Sequence, residues 1–129
     1  MANILLVDSE PVLLGLISNT LRLDGHEVSA VCSPLVALAS HGAGQTPIDL
    51  LLTDIDLKPI SGFELVNRLS KIGFNGSVLF MSEYPSLVAV VAESLGERAI
   101  LEKPFTAAQL RAAIANALRR GKAKAPRAA

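Results

Sequence analysis

Short apolar runs alternate with amphipathic stretches along this chain of 129 residues. Residues 4–7 are continuously apolar and end abruptly at a polar loop, which indicates a buried strand. Pro11 then suits the first turn of a helix, and leucine and isoleucine recur at helical spacing as far as Leu21. Asp24 and Gly25 end this pattern. The first unit is therefore predicted to be a strand followed by a helix.

The same cycle recurs through the rest of the chain. Predicted strands cover residues 27–31, 49–54, 77–81 and 99–101, and the helices that follow them cover 34–41, 62–71, 86–95 and 106–120. Apart from Asp49, residues 48–52 and 78–81 are apolar without alternation, as expected for strands that helices cover on both faces of a parallel sheet. Right-handed crossovers join such units into an open sheet. The predicted fold class is α/β, with a doubly wound, five-stranded parallel sheet.

The composition is consistent with one such domain. Half of the residues are hydrophobic and only 4% are aromatic, so the core must be built from aliphatic side chains. No apolar run approaches the roughly 20 residues of a membrane helix, and the first residues lack the features of a signal peptide. A cytoplasmic protein is therefore expected. The single cysteine, Cys32, cannot form an internal disulfide and is expected to be a small buried hydrophobe.

A formal net charge of zero conceals two regions of opposite charge. Five cations and no acids lie in the last eleven residues: Arg119, Arg120, Lys122, Lys124 and Arg127. All twelve acids lie before them, so the rest of the chain is acidic. Residues 1–120 are predicted to form the domain, and residues 121–129 are predicted to form a basic, disordered tail. Solvation is the preferred interpretation of this tail, and contact with nucleic acid is the minor one.

Reactive side chains follow the predicted strands, where a doubly wound sheet places its binding site. They are Asp8, Ser9 and Glu10 after the first strand, Asp54 and Asp56 after the third, Ser82 and Glu83 after the fourth, and Glu102 and Lys103 after the fifth. Singly, each is better explained as a helix cap or a solvated loop residue. Their coincidence at four strand ends favours a shared site.

This set of residues suits phosphoryl chemistry. Neighbouring carboxylates repel one another unless a cation lies among them, and their hard oxygen atoms suit Mg²⁺. A carboxylate can attack phosphorus and form an acyl phosphate when a metal and a lysine neutralise the transferred group. Asp54, Asp8 and Lys103 provide these roles, and the Ser82 hydroxyl could bind a phosphoryl oxygen.

The segments ILLVDSEP, LLTDIDLKPISGFEL, VLFMSEY and AILEKPF resemble the receiver domains of two-component response regulators, over residues 3–118. The resemblance implies a flavodoxin-like fold, Mg²⁺ as cofactor, and a phosphoryl group taken from a histidine kinase or phosphotransfer protein. It implies that Asp54 is the phosphoacceptor, and that Asp8 and the backbone carbonyl of Asp56 bind the metal. It also implies that Ser82 is the switch hydroxyl and Lys103 the lysine that contacts the phosphoryl group.

The chain departs from the family's pattern at several of these positions. Ser9 stands where the family has a second metal-binding acid, so weaker Mg²⁺ affinity is expected, with Ser9 or Glu10 as the remaining ligand. Glu83 replaces a small residue and is expected to crowd or repel a phosphoryl donor. Ile100 replaces an aromatic residue of the signalling face. The Lys103–Pro104 peptide bond is implied to be cis.

Four functions are compatible with this pattern to different degrees. The preferred one is a stand-alone receiver, a signalling domain rather than an enzyme, whose fourth helix, fifth strand and fifth helix bind a downstream protein or a second copy. The first alternative is a degenerate receiver that binds a partner without phosphate chemistry. The second is a phosphatase resembling the haloacid dehalogenases, with Asp54 and Asp56 as nucleophile and acid. It ranks lower because that motif usually ends the first strand of its domain, not the third. A nucleotide-binding domain ranks lowest because no glycine-rich turn follows the first strand.

Overall fold

All five predicted strand–helix units are present. The computed structural model describes residues 1–41 and 47–124, apart from the side chains at 98 and 120–124. In chain order the elements are β1 (Asn3–Val7), α1 (Pro11–Leu23), β2 (Glu27–Val31), α2 (Pro34–His41), β3 (Leu50–Asp54), α3 (Gly62–Lys71), β4 (Ser77–Ser82), α4 (Pro85–Leu95), β5 (Ile100–Glu102) and α5 (Ala107–Lys124). A short 3-10 turn, Glu97–Ala99, precedes β5. The predicted bounds of β2, α2 and α3 are confirmed to the residue.

The five strands form one parallel sheet in the order β2-β1-β3-β4-β5. This is the flavodoxin-like order of a doubly wound fold, so the predicted fold class is confirmed. The chain winds one way from β1 to β2 and the other way from β3 onwards. A crevice therefore opens beyond the carboxyl ends of β1 and β3, where the helices diverge. The fold alone places a site at this edge.

Helices cover both faces of the sheet. On one face, Leu6 and Leu52 pack with residues of α1 and α5. On the other, their neighbours Leu5 and Leu51 pack with residues of α2 and α3. Successive side chains of a strand point to opposite faces, and helices cover both faces, so apolar residues are favoured at successive positions. This explains why β3 is buried along its whole length and why its sequence does not alternate.

The structure tests several further expectations from the sequence. Ala99 belongs to the 3-10 turn, so β5 begins one residue later than predicted. Cys32 is exposed, and the prediction that it is buried is wrong. It follows the carboxyl end of β2, an edge strand of the sheet, where helix packing no longer covers the chain. The Lys103–Pro104 peptide bond is cis, as implied, and the Lys58–Pro59 bond is cis as well.

Helix α5 continues beyond the predicted domain boundary. Its backbone is helical to Lys124, four residues into the predicted tail of residues 121–129. Alanine and lysine are good helix formers, and together they outweigh the cost of about 1 kcal/mol for Gly121. Residues 125–129 lie outside the described residues. Within the described ranges, no helix is both long enough and apolar enough to span a membrane.

Candidate functional site

The strand register brings two buried carboxylates side by side. Val7 of β1 is paired with Thr53 of β3, so the next residues along these strands, Asp8 and Asp54, are neighbours at the carboxyl edge. Asp8 is fully buried and Asp54 is 7% exposed. Two carboxylates at this depth need a counter-charge, because burial disfavours each ionised form and each repels the other.

Lys103 supplies that counter-charge from the end of β5. Its Nζ donates to Asp8 Oδ2 at 2.8 Å and to Asp54 Oδ2 at 3.3 Å. Its backbone N–H donates to the Ser82 carbonyl at 2.8 Å, which fixes the start of the loop that carries it. The ammonium group therefore bridges two carboxylates from strands on the far side of β4, within a nearly dry environment.

The protonation equilibria reflect this burial. Burial raises the pKa of Asp54 above its ordinary value, the charge of Asp8 raises it further, and the nearby Lys103 ammonium opposes both effects. Burial alone would lower the pKa of Lys103, but its hydrogen bond to Asp8 and the charges of both carboxylates raise it overall. The carboxylates thus favour the ammonium form of Lys103, while burial disfavours the ionised form of Asp54.

Loop backbone completes the two carboxylate environments. Asp8 Oδ1 accepts the N–H of Glu10 at 2.9 Å, and Asp54 Oδ1 accepts the N–H of Asp56 at 3.3 Å. Gly62 begins α3 directly against this strand end, where a Cβ atom would lie only 2.3 Å from the Asp54 carbonyl oxygen. Only glycine permits this approach, so this position has a steric requirement for glycine.

A cavity of about 150 Å³ lies in front of the ion pair. The residues that line it are Asp8, Ser9, Glu10, Asp54, Asp56, Glu83, Tyr84 and Lys103. Because one water molecule occupies roughly 30 Å³ in the liquid, the space can admit a phosphoryl group together with water. Five carboxylates and one ammonium group face it, so an entering anion meets a negative potential unless a cation accompanies it.

The predicted site residues divide into two groups. Every candidate from the first and third strand ends lines the cavity, and so do Glu83 and Lys103. Ser82 is only 1% exposed and is not on the cavity wall within the described residues. Its Oγ atom instead accepts the N–H of Tyr84 at 3.0 Å. Glu102 is exposed and does not line the cavity either. The structure thus brings together the other predicted acids and the lysine, and it leaves the predicted switch hydroxyl behind the wall.

Tyr84 is a wall residue that the sequence analysis did not single out. It is 44% exposed, and the charges of Asp56 and Glu83 raise the pKa of its hydroxyl, which places the three side chains close together. The available signal was its position, two residues after Ser82 at the end of the fourth strand. It was missed because a tyrosine in a loop has no chemical role in the acid–lysine set.

The donor set is adequate for Mg²⁺ but sparse. Over the described part of the chain, no group of three or more His, Cys, Asp or Glu side chains is arranged to hold a metal ion. Asp8 and Asp54 remain as two hard carboxylate donors on adjacent strand ends, and Mg²⁺ commonly completes its shell with water. Ser9 is neutral, so the site has one carboxylate fewer than the family's pattern. These residues fit a weakly held Mg²⁺.

The fold is a doubly wound sheet, and two buried acids bridged by a lysine lie at the edge where its binding crevice opens. Together these features define the class of this protein. A family model described as the response regulator receiver domain matches residues 4–115. The chain therefore belongs to the response regulator receiver domain family. Receiver domains are signalling domains of two-component systems, and they generally bind Mg²⁺ at their acidic pocket.

Individual relatives agree with this assignment. The chain is 33% identical over 126 residues to the transcriptional regulatory protein SpaR of Bacillus subtilis, covering 93% of this chain and 53% of that protein. It is 30% identical over 120 residues to the DNA-binding transcriptional regulator NtrC of Azospirillum brasilense, covering 91% and 24%. The chain thus spans about half, or less, of these curated relatives.

Solved structures show the same fold. A response regulator receiver domain protein from Clostridium thermocellum superimposes with a TM-score of 0.80 at 31% identity, covering 95% of this chain and 98% of that one. A response regulator receiver protein from Sinorhizobium medicae has a TM-score of 0.77 at 33% identity, covering 92% and 94%. These likenesses span whole receiver units, so the similarity is one of the complete fold.

Proposed function

We propose that this receiver accepts a phosphoryl group on Asp54 from a histidine kinase or phosphotransfer protein, with Mg²⁺. The observation that carries the proposal is the Asp8–Lys103–Asp54 ion pair behind an acidic cavity at the carboxyl edge. In the proposed reaction an Asp54 oxygen forms a bond to phosphorus while the bond from phosphorus to the donor nitrogen breaks. The electron pair stays with the donor imidazole, which takes a proton from solvent.

Each side chain of the ion pair has a proposed task. Lys103 neutralises charge on the transferred group, and it needs only to shift its donors from Asp54 to a phosphoryl oxygen. Asp8 remains as its partner, so the ammonium group is never left without a counter-charge. Asp8, Asp54 and the backbone carbonyl of Asp56 would hold Mg²⁺, with Ser9 or Glu10 contributing in place of the family's second acid. The metal would neutralise the phosphoryl oxygens and offset the negative potential of the cavity.

Intact mass tests donor, metal and site together. The protein is incubated with acetyl phosphate, with and without Mg²⁺, beside the variant Asp54→Asn. We expect a gain of one phosphoryl group that requires Mg²⁺ and is absent from Asp54→Asn. Glu27→Gln is the matched control, since it also replaces a carboxylate by an amide, on β2 outside the cavity. A gain that persists in Asp54→Asn would refute the assignment of the acceptor.

A degenerate receiver is the second candidate function. In the resting site the Lys103 ammonium already donates hydrogen bonds to both carboxylates, and the described residues hold no three-ligand metal group. Such a site is stable as it stands and could present a fixed surface to a partner. Absence of any mass gain at high Mg²⁺ and acetyl phosphate would favour this candidate. The phosphatase alternative has no such support, because the family match extends over residues 4–115.

The output surface is proposed on α4, β5 and α5. Val91 of α4 is buried in the core, but Val90 and Leu95 are 56% and 58% exposed. A downstream protein or a second copy would bind there. Sedimentation of the phosphorylated protein tests the second copy: a dimer that Val90→Ser abolishes would support it, and a monomer at high concentration would leave a different protein as the partner.

The proposed location is the cytoplasm, and the exposed free thiol of Cys32 suits a reducing compartment.

A further inference from the structure

Helix α1 presents an apolar stripe to solvent. Val12, Leu16 and Leu23 are 72%, 61% and 84% exposed, although each is large and hydrophobic. Together with the exposed Asn19 they follow one another at intervals of four, three and four residues, which places them in one line along the helix. The opposite face of α1 packs into the core. The helix is therefore apolar on two sides, and the fold of the chain uses one of them.

An exposed glycine lies beside this stripe. A Cβ atom on Gly15 would have no neighbour within 4 Å, so no contact within the described structure requires glycine there. Glycine inside a helix costs about 1 kcal/mol relative to alanine. The missing side chain lowers the surface of α1 next to Leu16, and the distance between two packed helices depends on the side chains at their contact. The surface of α1 thus permits another helix to approach closely.

The charges around the stripe are self-complementary. Residues 11–21 contain no charged side chain, so the stripe itself carries no like charges that would repel a copy of itself. Glu10 lies immediately before α1, and Arg22 lies in its last turn. Among the residues that the structure describes, neither of them has an ion-pair partner. The helix therefore has one unpaired charge at each end, and the two charges are opposite in sign.

An antiparallel arrangement of two α1 helices matches both the apolar residues and the charges. When Val12 of each copy lies beside Leu23 of the other, Leu16 of each copy faces Asn19 of the other. The acid at position 10 then comes within one helical turn of the base at position 22 of the second copy, and this happens twice. Two ion pairs thus flank a continuous contact, which fixes its register.

We propose that the apolar stripe of α1 is the contact surface for a second copy of this chain, in an antiparallel pair related by a two-fold axis. Such an interface uses the same patch on both copies. One helix pair buries less than about 1,200 Å², which is typical of weak, transient association. The pairing does not depend on phosphoryl transfer, so its failure would leave the proposed function intact.

The position of α1 gives this pairing a consequence for access to the site. The helix begins at Pro11, directly after Ser9 and Glu10 of the cavity wall. A second copy on α1 therefore lies beside one side of the cavity mouth. A small donor can still reach Asp54, whereas a protein donor that approaches from this side has to displace the second copy.

Sedimentation velocity of the unphosphorylated protein in EDTA tests the proposal. We expect the sedimentation coefficient to rise with concentration as far as about 1 mM, as for a weak dimer. Leu16→Asp places a charge at the centre of the stripe and should keep the protein monomeric over this range. Val90→Asp is the matched control, because it makes a similar change at a similarly exposed residue of α4, and it should leave the association unchanged. Circular dichroism verifies that both variants are folded.

An exchange of charges tests the antiparallel arrangement. Glu10→Arg and Arg22→Glu each place like charges opposite one another at both ends of the pair, so each variant alone should associate about tenfold more weakly. Mixing the two variants should restore the association, because every facing pair in the mixed dimer again has opposite signs. No other variant is needed for this test, since each protein serves as the control for the other.

The outcomes that would overturn the proposal are distinct. A protein that remains monomeric at about 1 mM would refute self-association, and the stripe would then belong to a contact with another protein. Association that Val90→Asp abolishes and Leu16→Asp preserves would assign the contact to α4. A mixture of the two charge variants that associates no better than either alone would refute the antiparallel pair.

Discussion

The amino ends of the strands, here called the amino edge of the sheet, use polar groups differently from the carboxyl ends, the carboxyl edge. At the amino edge, backbone groups close the sheet by direct pairing: Glu27 N–H donates to Ala2, Asp49 N–H to Asn3, and Ser77 N–H to Asp49, at 2.8–2.9 Å. The Asp49 carboxylate also accepts the Asn3 N–H there, at 2.8 Å. Polar groups at this edge thus serve mainly to hold strands together.

At the carboxyl edge, three charged side chains contact one another where the amino edge has backbone hydrogen bonds. Asp8, Asp54 and Lys103 are buried or nearly so, and they satisfy one another across β1, β3 and β5. The loops beyond them diverge and leave the cavity. Buried charges of this kind contribute less to stability than apolar residues of the same volume. The difference indicates that the amino edge is built for stability and the carboxyl edge for chemistry.

Removing the shared cation should have the largest effect. Lys103→Met leaves Asp8 and Asp54 buried together without a counter-charge, so we expect a loss of about 3–5 kcal/mol in the free energy of unfolding. Lys71→Met, at the exposed end of α3, is the control and should change it by less than about 0.5 kcal/mol. Urea denaturation at pH 7 measures both. Equal effects of the two variants would show that the ion pair does not govern the stability of this edge.

Two glycines test the comparison directly, one at each edge. A Cβ atom on Gly62 would lie 2.3 Å from the Asp54 carbonyl oxygen, and one on Gly76 would lie 2.6 Å from the Ile48 carbonyl oxygen. Each alanine variant should lose about 1–3 kcal/mol of stability, because backbone must shift to admit the methyl group. Only Gly62→Ala should also slow the phosphoryl gain seen by mass spectrometry.

Gly15 supplies the control for both glycine variants. It lies on the outer side of α1, and a Cβ atom there would have no neighbour within 4 Å. Gly15→Ala should raise the free energy of unfolding by about 0.5–1 kcal/mol, since alanine is the better helix former. The comparison of edges would fail if Gly76→Ala slowed phosphorylation as much as Gly62→Ala at matched stability.

Restoring an acid at the carboxyl edge should strengthen metal binding. Ser9→Asp adds a third carboxylate to Asp8 and Asp54, and we expect Mg²⁺ affinity to rise about tenfold, or about 1.4 kcal/mol. Titration calorimetry measures the change, with Ser86→Asp as a control for added charge away from the cavity. An unchanged affinity would mean that a group other than a side chain at position 9 completes the metal shell.

The smallest predicted effect is a pH dependence that originates in Asp54. Because its pKa is raised chiefly by burial, the folded protein retains this proton at pH values where the unfolded chain has released it. Stability should therefore fall as the pH rises above 3.8 through the raised pKa, and the contribution should be constant at higher pH. The free energy of unfolding is measured in EDTA for the protein and for Asp54→Asn. As the pH rises, the variant should become increasingly more stable than the unsubstituted protein. A pH-independent difference would contradict the assigned shift.

Much of the fold was accessible from the sequence because its causes are local. Apolar runs such as residues 50–52 mark strands that are covered on both faces, and Gly25 and Pro34 mark the ends of neighbouring elements. The site residues were accessible for a related reason. Parallel strands all end at the same edge, so residues such as Asp54 and Lys103 meet once the strands are placed.

The details that escaped prediction depend on tertiary contacts. Position along a strand does not determine whether a side chain faces the cavity or lies behind its wall. The Ser82 hydroxyl lies behind the wall, where it accepts the N–H of Tyr84. The exposure of Cys32 follows from the edge position of β2, which is set by strand order rather than by local sequence. The extension of α5 depends on the balance between Gly121 and its helix-forming neighbours.

The bridge formed by Lys103 also bears on how the chain folds. Lys103 is separated by 95 positions from Asp8 and by 49 positions from Asp54. It directly follows β5, a strand of only three residues. Closing such long loops is entropically slow, and until it happens the two carboxylates repel each other. We therefore expect the centre of the sheet to become ordered first and the acidic edge only when β5 docks. The chemistry of the receiver would then appear in the last cooperative step of folding.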